Sequence, residues 1–135
     1  MTYVAPFPRC VYILGDGLLF DDIIARMLAS VANLRVIKQV YAGEAALLTE
    51  VNGYCPDVIL LTESNRYSIE QILVPLSRMP RSTALRVIVM SMKHENVQVL
   101  DRPAGRIHTR AGALHTIQGV DAWSELFDLV TGKQL

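Results

Sequence analysis

An open α/β sheet with helices on both faces is the fold class this sequence predicts, and three observations predict it. The stretch Pro56-Asp57-Val58-Ile59-Leu60-Leu61-Thr62 sets four aliphatic residues in a row between a turn-starting Pro-Asp and a polar residue. A run so short and unbroken reads as a central strand, apolar on both faces. Two further runs have the same form. Val11-Tyr12-Ile13-Leu14 is closed by Gly15-Asp16-Gly17, and Leu85-Arg86-Val87-Ile88-Val89-Met90 is closed by Ser91. Stretches with helical spacing lie between the runs, and such alternation implies parallel strands joined by crossover helices.

Size and charge narrow the class. The chain has 135 residues, enough for one domain with one real core. Hydrophobic residues make up 51% and charged residues 19%, the balance of a packed globular protein and not of a disordered one. Lys plus Arg and Asp plus Glu both number 13, so the basic footprint of a self-sufficient nucleic-acid binder is missing. No apolar run approaches the ~20 residues of a membrane span. Residues 1–9 lack a signal-peptide pattern, and Pro6 and Pro8 make them an extended lead-in. A cytoplasmic protein with a domain over residues 10–131 is expected, residues 132–135 being a tail or the start of a linker.

Along the chain, the first strand is followed by a helix over 18–31. Its apolar residues are Leu19, Ile23, Ile24, Met27, Leu28 and Val31, and Asp21 and Asp22 stand in its early turns, where the helix dipole favours acids. A second strand spans 35–40. A short helix over 43–51 turns Ala45, Leu47, Leu48 and Val51 inward and stops at Gly53. Beyond Thr62, residues 63–66 form a polar loop. Ser68 and Gln71 have capping-box spacing before an apolar face of Ile69, Ile72, Leu73 and Leu76, with Pro75 kinking or ending that helix.

From 92 to 112 the alternation fails. Pro103 and Gly105 interrupt any helical register, while Val97-Gln98-Val99 and Arg106-Ile107-His108-Thr109 alternate around them as a hairpin or an irregular loop. A last strand over 113–118 comes next. Asp121 caps a final helix carrying Trp123, Leu126, Phe127 and Val130 on one face, ending at Gly132.

Few residues carry chemistry. In open α/β sheets the chemistry collects at the carboxyl ends of the strands, here Asp16, Thr62 and Ser91. Asp16 serves equally well as a helix cap, and Thr62 and Ser91 as partners of local backbone. Cys10 and Cys55 form no metal spacing and read as free buried thiols at the opposite end of the sheet. His94, His108 and His115 lack ligand spacing. Arg102, Arg106 and Arg110 form a small basic cluster, by default a solvated loop and in the sharper reading a partner or anion contact.

These words in this order resemble the receiver domain of bacterial two-component response regulators, most nearly the NarL/FixJ type. The segment VYILGDGLLFDDIIARML is similar to that group's first strand and helix, PDVILLT to its third strand, and RVIVMSM to its fourth. AGAL, together with the last strand and helix, is similar to its ending. The resemblance covers residues 10 to 131. It implies a CheY-like, flavodoxin-like sheet of five parallel strands in the order 2-1-3-4-5, with an atypical fourth crossover.

In such receivers a pair of acids after the first strand and one ending the third hold Mg²⁺, and the last accepts a phosphoryl group. A hydroxyl ending the fourth strand and a lysine ending the fifth then bind its oxygens. Carried over residue by residue, Gly15-Asp16 keeps one acid of the pair, Thr62 stands at the acceptor position, Ser91 matches the hydroxyl, and Gln118 or Gly119 falls where the lysine would stand. A single remaining acid holds Mg²⁺ poorly, and an unactivated threonine is a poor substitute for a carboxylate nucleophile. Glu63 as a displaced acceptor is disfavoured, because strand alternation points it away from Thr62's side.

The resemblance therefore implies a pseudo-receiver that acts through a protein partner or a homodimer, without conventional Asp phosphorylation. It is not an enzyme and needs no metal or cofactor. It touches neither membrane nor nucleic acid itself, and any DNA-binding output domain lies outside this chain. The alternatives are a phosphoryl-accepting regulator with a relocated site and a small flavodoxin-like enzyme or cofactor carrier. Against the latter, no Gly-rich phosphate loop or nucleophile-base pair stands out.

Overall fold

The computed structural model describes residues 9–15, 19–31, 33–62, 67–79, 84–91, 96–102, 114–118 and 126–131. In chain order the elements are β1 Arg9–Gly15, α1 Leu19–Ala29, β2 Leu34–Val40, α2 Glu44–Tyr54, β3 Val58–Thr62, α3 Ile69–Arg78, β4 Leu85–Ser91, β5 Asn96–Arg102, β6 Leu114–Gln118 and α4 Leu126–Thr131. They form one six-stranded sheet in the order β2-β1-β3-β4-β5-β6. The first four strands are mutually parallel, an open flavodoxin-like arrangement in which β3 lies between β1 and β4. All five residues of β3 are buried, as the aliphatic run requires of a strand covered on both faces.

Two apolar layers enclose the sheet. On one face Val11, Ile13, Val58, Leu60, Ile88 and Met90 meet Ile24 and Leu28 of α1 and Leu126, Leu129 and Val130 of α4. On the other, Tyr12, Leu14, Ile59, Leu61, Val87 and Val89 meet Leu47 and Val51 of α2 and Ile72 and Leu76 of α3. The period-2 alternation of each strand delivers its residues to the two layers in turn.

Asp57 fastens the amino ends of three strands. Its carboxylate accepts the Cys10 amide at 2.8 Å, its own amide donates to the Cys10 carbonyl at 2.9 Å, and its carbonyl accepts the Arg86 amide at 3.0 Å. The turn-starting acid thus does more than begin a strand. Two guanidinium groups satisfy carbonyls at the end of α4: Arg9 Nε donates to Val130 at 2.7 Å and Arg86 Nη1 to Leu129 at 3.0 Å. Those carbonyls have no partner within the helix, so the arginines dock it.

Several sequence expectations are corrected. The sheet is not five parallel strands, because β5 pairs antiparallel with β4 through Ser91↔Asn96 to Leu85↔Arg102. Val97-Gln98-Val99 therefore pairs with β4 on one side and with β6 on the other. Residues 106–109, the other half of the expected hairpin or loop, lie outside the described residues. A strand that returns directly beside its predecessor must run antiparallel, since a parallel neighbour needs a long crossover. The expected last strand, β6, runs in the same direction as β4 but one strand further out.

Helix α2 passes through Gly53 and ends at Cys55, which takes the left-handed conformation (φ 47°) and donates its amide to the Val51 carbonyl. Glycine costs a helix only about 1 kcal/mol, and the extra turn packs Tyr54 against the core. Pro75 lies inside α3 with its ring buried, and the helix continues to Arg78. The capping box of Ser68 and Gln71 forms in both directions. Cys10 is buried, and burial pushes its thiol above the ordinary range, but Cys55 is exposed. No helix among the described residues is long and apolar enough to cross a membrane.

Candidate functional site at the carboxyl end of the sheet

Helix α1 shows the largest departure from simple hydrophobic patterning. Ile23 and Met27, both expected in the core, are 46% and 43% exposed, whereas Asp21 is 2% exposed. The inward face of the helix is Asp21, Ile24 and Leu28, spaced i, i+3 and i+7. The helix is thus set so that an acid enters the protein while two large aliphatic side chains stay in water. Ala45 of α2, also expected inward, is exposed.

Asp21 goes to the carboxyl ends of β1 and β3. The hydroxyl of Thr62, itself 3% exposed, donates to Asp21 Oδ1 at 2.8 Å. The carboxylate also fills the space that a side chain at residue 15 would need. A Cβ on Gly15 would lie 2.1 Å from Oδ2, 2.4 Å from Cγ and 2.5 Å from Oδ1. Any side chain at residue 15 would have to displace the Asp21 carboxylate. Beside this group, the Tyr67 hydroxyl lies 3.0 Å from the Leu14 carbonyl and 2.5 Å from that of Thr62, spanning the same two strand ends. Tyr41 stacks obliquely on Tyr67 at 5.4 Å and donates its amide to the Gly15 carbonyl at 3.2 Å.

The sequence-predicted positions are brought together only in part. Gly15 and Thr62 end neighbouring strands, as expected. Ser91 ends β4, one residue beyond Met90, the register partner of Thr62. Gln118 ends β6 and shares a lateral row with Ser91, but Asn96 of β5 stands between them. At roughly 4.8 Å per strand, Gln118 is displaced to about 10 Å from β4. The inserted strand therefore separates the last-strand position from Thr62. Asp16 and Glu63 lie outside the described residues, as do Arg106 and Arg110. Arg102 ends β5, and the antiparallel register pairs it with Leu85, at the end of the sheet opposite Thr62. Among the described residues no group of three or more His, Cys, Asp or Glu converges as a metal site would require.

Sequence reasoning missed two members of this site, Asp21 and Tyr67. The signal for Asp21 was its helical register with Ile24 and Leu28. It was masked by the dipole's ready explanation for an acid in a first turn. Tyr67, just before the Ser68 cap, carried no signal of its own. A separate concavity of about 350 Å³ lies beside α3, lined by Ile69, Glu70, Leu73, Val87, Val89, Gln98 and Leu100.

No protein-family model matches the chain, and no curated protein matches it. Among solved structures it is similar to a variant of HypX from Aquifex aeolicus, at 12% identity and a TM-score of 0.42. The match covers 93% of this chain and 25% of HypX, so the chain spans about a quarter of that protein's length.

Proposed function

We propose that the chain is a receiver-like regulatory module that acts by binding a protein partner or a second copy of itself, without phosphorylation of an aspartate at the third strand. The observation that carries this reading is the bond between Thr62 and Asp21. At the strand end where a receiver presents its acceptor carboxylate, this chain presents a buried hydroxyl already bonded to an internal acid. The order β2-β1-β3-β4 and the hydroxyl residue Ser91 at the end of β4 support the kinship. The antiparallel β5 displaces Gln118, and with it the position from which a fifth-strand side chain would reach a phosphoryl group. The described surface of such a module includes the concavity beside α3, whose lining is aliphatic apart from Glu70 and Gln98, as one place for a partner.

One observation favours a second reading. A carboxylate does stand at this site, that of Asp21, and it would be the acceptor in a relocated phosphoryl chemistry. Its 2% exposure and its bond to Thr62 set it apart from an accessible nucleophile. Incubation with acetyl phosphate and Mg²⁺, read by intact mass, separates the two. The regulatory reading expects no gain of a phosphoryl mass. A stoichiometric adduct that hydroxylamine removes and that Asp21→Asn abolishes would establish the second.

A further inference from the structure

The ends of β1 and β3 make a small recess with a defined chemistry. Its floor is the backbone of Gly15, which puts no side chain of its own into the space above it. One wall is the Thr62 hydroxyl, which has its proton directed into the recess. Tyr67 closes the adjoining strand ends from the other face of the sheet, in contact with the Leu14 and Thr62 carbonyls. The Asp21 carboxylate occupies this space, with all three of its atoms within 2.5 Å of where a Cβ of residue 15 would be.

This arrangement is not what hydrophobic packing alone would select. Turning α1 so that Asp21 points inward leaves Ile23 and Met27 exposed. A carboxyl group is also taken out of water, which is costly unless it is hydrogen-bonded. A glycine at 15, an acid at 21 and a hydroxyl at 62, each on a different element, meet at this point. Changing any one of them removes the fit.

We infer that the carboxyl end of the sheet is a pocket for one small carboxylate, and that Asp21 is its tethered occupant, an autoinhibitory contact that shuts the pocket to exogenous anions. Asp21 reaches it from the first turn of α1, so the same contact pins that helix to β3. The pocket takes a monocarboxylate of one or two carbons, with the Thr62 hydroxyl donating to one oxygen. A larger anion enters only if α1 withdraws. This deepens the regulatory reading by supplying what keeps the site closed, but it stands on geometry that does not depend on signalling.

Chemical rescue tests it, with formate as the probe. Asp21→Ala removes the carboxylate and leaves a space of formate's size. Formate is expected to raise the thermal midpoint of Asp21→Ala saturably, relative to chloride at equal ionic strength. It should leave the unsubstituted protein unmoved and have no effect on Asp21→Ala/Thr62→Val. If Asp21→Ala does not fold in buffer, recovery of folding by formate and not by chloride is the same result. Indifference of Asp21→Ala to formate, or an equal response of the unsubstituted protein, overturns the inference.

A second measurement uses Gly15→Ala. This substitution should strongly raise the unfolding constant of the unsubstituted protein and do so on the order of tenfold less in the Asp21→Ala background, because the methyl then has room. Equal effects in both backgrounds overturn the shared-space geometry. A phosphoryl adduct in the acetyl phosphate experiment would end the regulatory reading without touching the formate result, so the two failures are distinguishable.

Discussion

The hydroxyl of Thr62 and the carboxylate of Asp21, 41 residues apart in sequence, meet across 2.8 Å in the interior of the protein. The bond joins the carboxyl end of the central strand to the first turn of α1. A hydroxyl donating to a buried carboxylate is worth more than one at the surface, because burial removes the competition from water.

Thr62→Val keeps the shape of the side chain and removes the donor. It is expected to cost about 1–3 kcal/mol, the usual cost of removing one hydrogen bond to a buried charged or polar group. Thr62→Ser, which keeps the hydroxyl, should lose less. Urea unfolding checks this through the midpoint at unchanged m-value, and equal losses for Val and Ser would mean that the methyl group matters and the bond does not.

The rotational setting of α1 is open to a simple substitution series. Ile23→Lys and Met27→Lys should each fall within about 0.5 kcal/mol of the unsubstituted protein, because both side chains already face water. Leu28→Ala, at a fully buried position, should cost about 2–5 kcal/mol. A large loss at Ile23 would place that residue in the core and turn Asp21 outward.

Alkaline pH should destabilise the fold through Tyr12. Its ring is fully buried, and burial followed by the hydrogen bond it donates to Glu50 holds its phenol well above the ordinary tyrosine range. A pKa raised by folding gives stability that is complete below the unfolded pKa and falls as the unfolded chain ionises above it. With an unfolded value near 10, stability should decline by about 1.4 kcal/mol per pH unit above pH ~10 from this residue. Tyr12→Phe should flatten that limb relative to the unsubstituted protein. The Cys10 thiol, also raised, acts in the same direction from a lower pH and is common to both proteins, so the comparison removes it. Identical alkaline limbs would show that Tyr12 ionises in the fold as it does in the unfolded chain.

Val99→Pro tests the position of β5. That strand is paired on both sides, with Ile88 and His115 opposite residue 99, so proline there removes a ladder bond and strains an interior strand. The substitution should abolish cooperative unfolding or shift its midpoint far toward lower denaturant. Near-native stability would fit a surface loop and would contradict the six-stranded sheet.

Elements whose cause is local were legible in the order of residues. The aliphatic run ending at Thr62, bounded by turn chemistry, reads as a strand covered on both faces, and β3 is buried throughout. Ser68 and Gln71 bond to each other's backbone across three residues, so their box is legible wherever the chain goes next. Gly15 and Thr62 were likewise readable as strand ends, because period and turn chemistry mark where a strand stops.

Which residues those ends would meet was settled only on assembly of the fold. Val97-Gln98-Val99 alternates in the same way whether it pairs with a downstream segment or folds back on β4. Alternation records which residues share a face and carries nothing about the neighbour or its direction. The apolar residues of α1 were compatible with two rotational settings, and the one adopted exposes Ile23 and Met27 to bring Asp21 inward. That choice depends on a space left by Gly15 and a donor supplied by Thr62. Neither is visible to the local pattern of the helix, because both lie on other elements and act only once the sheet has assembled beneath it.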